Sequence, residues 1–151
     1  MTWTQTFKAA RGDAQTLSEL ADFNPLIELA EQVGRDLQRD GVSSRQIRVL
    51  LSETTAGVSR IRRGRTLGMD AGGTDTPSRD VQDRAAQREA ALLNISLVYN
   101  AGRSKSGGQA IRQLTDLMGE VTRAVKTFED FKVLRKFSEA VMAYFKFHGG
   151  K

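Results

Sequence analysis

A chain of 151 residues with no cysteine holds one domain, large enough to bury roughly 68–70% of its unfolded surface, and has neither disulfides nor thiolate zinc sites. Its opening, MTWTQTFKAARGDAQTLSEL, lacks the apolar run of a signal peptide, and nothing approaches the ~20 apolar residues of a membrane span, so a soluble cytoplasmic protein without a membrane partner is expected. The net charge of +5 is segregated: residues 41–65 carry six arginines against Glu53 alone, whereas residues 1–40 carry four bases and seven acids, and such basic regions point to a polyanionic partner.

Five helical patterns follow in chain order, with no convincing strand alternation. Residues 1–23 are expected to be weakly ordered. The first helix opens at Asn24-Pro25, an N-cap followed by proline at the first helical position, and carries Leu26, Ile27, Leu29, Ala30, Val33 and Leu37 towards a stop at Gly41. The second begins at SSRQIRVLL, where Ser43 and Gln46 have capping-box spacing, and continues to about Arg63 before Gly64. At about 100° per residue, Ile47, Leu51, Thr54, Val58 and Ile61 cluster on one side of it. Arg45, Arg48, Ser52, Thr55, Ser59, Arg62 and Arg63 share a separate stripe of guanidinium groups and small hydroxyls, donors that suit phosphate oxygens. The competing fate of these arginines is pairing with acids of the first helix. Arg60 and Arg65 lie off the stripe.

Residues 64–78 form a flexible Gly-rich loop by composition. A third helix is predicted from about Arg79 to Ala101, with Val81, Ala85, Leu92, Ile95 and Val98 or Tyr99 on its buried side and Gly102 as its breaker. The turn RSKSGG adds Arg103 and Lys105, and the fourth helix, from about Gln109 to Lys126, turns Ile111, Leu114, Leu117, Met118, Val121 and Val125 inward. Thr127 and Asp130 cap a fifth helix that ends at Gly149-Gly150. It carries Lys132, Arg135 and Lys136, with Glu139 placed to compete for Arg135 at i+4. Phe131, Leu134, Phe137, Val141 and Tyr144 recur at helical spacing, and Phe145 and Phe147 widen that apolar face. So wide a face on a terminal helix favours core packing plus contact with another subunit, at Tyr144, Phe145 and Phe147, over a base-stacking platform.

Catalytic constellations are missing from the sequence. His148 is the one histidine, set between Phe147 and Gly149, and reads as a helix-end residue. GRSKSGGQ resembles a phosphate loop but lacks the Gly-Lys-Ser/Thr ending that reaches phosphates and magnesium. Glu28, Glu31 and Asp36 read as a solvated acidic face rather than a metal site. No catalytic residue, metal or cofactor is assigned, and the chain is not expected to be an enzyme.

These patterns describe an all-α protein, a single compact bundle of about five helices over residues 1–151 with one long Gly-rich loop. Three stretches, SSRQIRVLL at 43–51, LLNISLVYNAGR at 92–103 and FSEAVMAYFKFHGGK at 137–151, together resemble the helical small subunit of the type III-A CRISPR interference complex, the Csm effector. Gln46-Ile47-Arg48, Tyr99 to Arg103, Glu139-Ala140, Ala143-Tyr144, Lys146 and Gly149-Gly150 carry the likeness, in the family's order. The resemblance implies a non-catalytic subunit that stacks in a row with copies of itself and serves antiviral defence. Its partners would be guide RNA, single-stranded target RNA, the backbone subunits and the large subunit. By matching position Arg48 and Arg103 are the RNA contacts it implies; Arg45, Arg62, Arg63, Lys105 and Lys136 follow on charge and helical placement. The alternative is a sequence-specific DNA-binding helix-turn-helix protein with SSRQIRVL as its recognition helix.

Overall fold

A computed structural model of the protein describes residues 1–66, 69–70, 77–103 and 108–150. The described residues are almost entirely helical: α1 (Trp3–Arg11), a 3-10 turn (Leu17–Glu19), α2 (Asn24–Arg39), α3 (Ser44–Arg63), α4 (Arg79–Arg103), α5 (Gly108–Arg123) and α6 (Phe128–Phe147). A two-residue antiparallel ladder pairs Arg65–Thr66 with Met69–Asp70. Of the expected loop, residues 67–68 and 71–76 lie outside the described residues.

The bundle is organised around α6. Thr127 caps it by accepting the Asp130 amide, and Phe131, Leu134, Phe137, Val141 and Phe145 then recur on a buried face, each contributing roughly 1.5–3 kcal/mol through burial. Helices α2, α3 and α4 and the 3-10 turn all pack on it, while α5 packs on α4 and α1. Helix α2 comes close enough to α6 for the backbones to touch. A Cβ added at Gly34 would lie 2.7 Å from the Phe145 amide nitrogen and 2.8 Å from the Val141 carbonyl oxygen, so only glycine lets the two backbones meet.

The helix termini explain themselves locally. Ser43 and Gln46 form the capping box that starts α3, and Gly64, at φ +69°, closes it. At the end of α6, Gly149 adopts φ +100° and the Gly150 amide donates to the Phe145 carbonyl at 2.9 Å. Gly150 then lies against the Phe145 ring, where no side chain fits.

Several sequence expectations need correction. Residues 1–23, expected to be weakly ordered, instead hold α1, started by a Thr2–Gln5 capping box and docked through buried Trp3 and Phe7. Asn24 does not cap α2; it is the first helical residue, and Asp22 accepts its amide. Helix α4 runs through Gly102 to Arg103, and beyond Ala85 its buried side is not the one expected. Ala85, Ala86, Ala90, Leu93 and Leu97 face the core, whereas Ile95, Val98 and Tyr99 are 65, 55 and 64% exposed. Small alanines let α4 approach α3 and α5 closely, and that rotation turns the larger apolar residues outward.

Two buried acids tie the bundle together. Asp130 Oδ1 accepts the Ser18 amide at 2.8 Å, and Oδ2 accepts the amides of Lys126 at 2.8 Å and Thr127 at 2.9 Å. Burial disfavours its charged form, but the hydrogen bonds from Ser18, Lys126 and Thr127 outweigh that and hold the carboxyl below the ordinary aspartate range. Glu89, also buried, receives a bidentate pair from Arg60 at 2.8 and 2.9 Å. Replacing Arg60 with methionine removes both of these bonds from the buried carboxylate, and the expected loss is about 1–3 kcal/mol in a denaturant melt.

Candidate nucleic-acid interface

Helix α3 is held to the bundle by Ile47, Leu50, Thr54, Gly57 and Ile61, all buried. Its opposite side is the arginine and hydroxyl stripe, and every member of it, from Arg45 and Arg48 through Ser52, Thr55 and Ser59 to Arg62 and Arg63, is exposed. Among the described residues, the side chains of Arg45, Arg48, Arg62 and Arg63 make no ion pair, and the acids of α2 do not reach them. Asp36 is instead engaged by the Trp3 indole at 3.2 Å and by Arg39 at 3.3 Å. Arg60, off the stripe, is drawn inward by Glu89 and lies 3.8 Å from Glu53. Its hydrogen bonds to Glu89 hold the guanidinium protonated more firmly than a free one.

Arg103 lies over the Tyr99 ring, 5.4 Å from its centroid, and both side chains are exposed. Helices α3 and α4 run antiparallel, because Arg60 meets Glu89 while the later Arg62 carbonyl meets the earlier Gln82. At 1.5 Å per residue, Arg48 lies about 18 Å back from Arg60 and Arg103 about 21 Å on from Glu89. Arg45, Arg48 and Arg103 therefore share one end of the bundle, and Arg62 and Arg63 mark the other.

The remaining candidates do not join this surface. Lys105 lies outside the described residues. Lys136 pairs with Glu139 at 3.5 Å and borders a groove between α2 and α6 that also takes the half-buried Tyr144. Phe145 is only 1% exposed; its ring fills the core between α6 and Gly150, so it cannot serve the subunit contact expected of it. Phe147, 79% exposed, stands free of the core and meets His148 edge-on. The exposed face of α4 was missed by sequence reasoning; its signal is a second half, AALLNISLVY, with apolar residues on every side, which one buried face cannot absorb.

A cationic face with hydroxyls between the guanidiniums and few acids nearby has the donors that suit phosphate oxygens. Residues 21–151 match the family described as Csm2 Type III-A. The chain belongs to the Csm2 type III-A family. As a Csm2-family chain it is a small subunit of the type III-A Csm complex, and the match contains both Arg48 and Arg103 but leaves out α1 and the 3-10 turn. Comparison with curated proteins and with solved structures returns no match.

The helix-turn-helix alternative is not favoured for this Csm2-family chain. That motif needs two successive helices docked on each other to present the second. Here α2 packs on α6, α1 and α5, while α3 packs on α6 and α4. Among the described residues no group of three or more His, Asp or Glu is placed to hold a metal ion, and no helix is long and apolar enough to cross a membrane.

Proposed function

We propose that this subunit binds the sugar-phosphate backbone of guide RNA and single-stranded target RNA through the solvent face of α3 and Arg103. It does so as a non-catalytic element of the Csm ribonucleoprotein, stacked in a row with its own copies beside the backbone and large subunits, in antiviral defence. One observation carries the RNA reading: Arg45, Arg48, Arg62 and Arg63 of α3 are exposed and make no ion pair among the described residues, so their charge is available to a ligand. Backbone binding also suits a complex in which sequence recognition is delegated to pairing with the guide.

The test is single-stranded RNA binding as a function of salt. Loss of two charge-assisted phosphate contacts in the Arg48→Ala, Arg103→Ala double variant is expected to weaken binding roughly 100-fold or more, whatever the RNA sequence. The slope of log K against log salt is expected to become shallower by about 1.4. Both positions are exposed, so the melting temperature should hold. Unchanged affinity and slope in the folded variant would remove Arg48 and Arg103 from the interface.

A further inference from the structure

Tyr99 contributes little to the bundle. Its ring stays 64% exposed although Arg103 lies over it, and among the described residues its hydroxyl makes no hydrogen bond. The neighbours of α4 fix where the ring stands. Glu89 receives Arg60 and marks the side of α4 turned to α3. Asn94 Oδ1 lies 3.8 Å from a Cβ added at Gly119, and Val98 lines a hollow with residues of α1 and α5, so these two mark the side turned to α5. At about 100° per residue, Val98 stands about 180° from Glu89, whereas Tyr99 and Arg103 stand only about 80° and 40° from it, across the solvent side.

On α3, Arg60 faces α4. Arg45, Ser52 and Arg63 stand about 60–80° from it, again on the solvent side, and form the edge of the arginine and hydroxyl stripe nearest α4. Because the two helices run antiparallel, their residues can be matched in height along the pair. Tyr99 lies about 15 Å on from Glu89, level with the interval between Arg48 and Ser52, which lie about 18 and 12 Å back from Arg60. Arg103 falls level with Arg45. An exposed ring therefore stands beside the phosphate-type donors of α3, one helix spacing of roughly 8–10 Å away.

We propose that bases of a single RNA strand stack on Tyr99 while its phosphates follow the neighbouring α3 stripe, so that the α3–α4 pair carries backbone and bases on parallel tracks. This rests on the RNA reading above and adds a base-facing side to it. Single-strand binders combine a cationic track with aromatic faces in this way, and the stacking tolerates any sequence because every base has a π face. The Arg103 guanidinium takes one side of the ring and is itself a plane on which a base can lie. Ile95, one turn before Tyr99 and 65% exposed, lengthens the row from Ile95 to Arg103 to about 12 Å.

The test titrates a mixed-sequence single-stranded RNA, and a ribose-phosphate oligomer of the same length without bases, with wild type, Tyr99→Leu, Tyr99→Phe and the Arg48→Ala, Arg103→Ala double variant, read by fluorescence anisotropy. Leucine at position 99 is expected to weaken binding of the base-bearing strand roughly 5–150-fold for each base lost from the stack, while the affinity for the baseless oligomer and the salt slope stay unchanged. Phenylalanine is expected to bind both as wild type does. Tyr99 is exposed, so both variants should keep the wild-type melting temperature. An unchanged RNA affinity in Tyr99→Leu, an equal loss for the two oligomers, or a Tyr99→Phe variant as weak as Tyr99→Leu would overturn the stacking role. Any of these, with the loss in the double variant intact, would leave the RNA proposal standing; a wild type that binds neither oligomer would overturn both.

Discussion

Replacing Asp130 with asparagine is expected to lower the stability of the protein by about 3 kcal/mol, since each hydrogen bond to a buried charged group contributes about 1.5–3 kcal/mol. The carboxylate is fully buried and accepts three backbone amides, two of them from the turn between α5 and α6 and one from the 3-10 turn. An asparagine turns its own NH2 group towards one set of these donors and leaves them unsatisfied. For a chain of this size about 3 kcal/mol corresponds to a fall in Tm of roughly 6–12 °C.

The same network fixes a pH dependence. Because the Asp130 carboxyl is held below its ordinary value, the unfolded chain takes up the proton first as pH falls. The stabilisation is therefore complete well above the ordinary aspartate pKa of about 3.9 and is lost as pH drops through the lower, folded value. Melts of the wild type and Asp130→Asn should differ most at neutral pH and converge below about pH 4. A difference as large at pH 3 as at pH 7 would mean that the carboxylate charge contributes nothing.

Gly34→Ala is the second large effect. The new methyl lies 2.7–2.9 Å from the Phe145 amide nitrogen, the Val141 carbonyl oxygen and the Tyr144 Cβ, and two of these are backbone atoms that cannot turn aside. Helices α2 and α6 must separate along their contact. Overpacking of this kind costs about 1–3 kcal/mol, occasionally more, and the clash with backbone places it at the upper end. Alanine recovers about 1 kcal/mol of helix propensity, leaving a net loss of about 2 kcal/mol. Gly119→Ala supplies the contrast, for its Cβ meets nothing nearer than Asn94 Oδ1 at 3.8 Å. That variant should be about 0.4–1 kcal/mol more stable than wild type. Equal and small effects at both glycines in a urea melt would contradict the close α2–α6 approach.

What could be read from the sequence was local. The capping boxes at Ser43–Gln46 and Thr127–Asp130 declare themselves within four residues, and α3 shows its two faces because its arginines and its apolar residues are cleanly segregated. The arginine stripe was legible for that reason. Helix α1 carries the same kind of signal, a Thr2–Gln5 box with Trp3 and Phe7 at i and i+4, but it is nine residues long and too short for periodicity to stand out.

Tertiary choices were not legible. Apolar residues surround the second half of α4, so nothing in its own sequence says that Ala90, Leu93 and Leu97 face inward and Ile95 and Tyr99 outward; the close packing of neighbours decides it. Phe145 and Phe147 are two residues apart, yet one fills the core and the other is exposed. Asp130 reads as a helix cap, and its second role depends on Ser18, 112 residues away. The pairing of Arg60 with Glu89 likewise joins two helices and commits one arginine to a buried acid, a division that charge counting along the chain does not make.

The most direct test of the RNA proposal is ultraviolet crosslinking in the Csm complex purified from its own cells through a tag on this subunit, with the attachment sites mapped by mass spectrometry. Guide-length RNA is expected in the preparation, with crosslinks on the α3 peptide from Arg45 to Arg63 and around Arg103. Crosslinks confined to α5 or to the α2–α6 groove, with α3 unmarked in a complex that carries RNA, would contradict it.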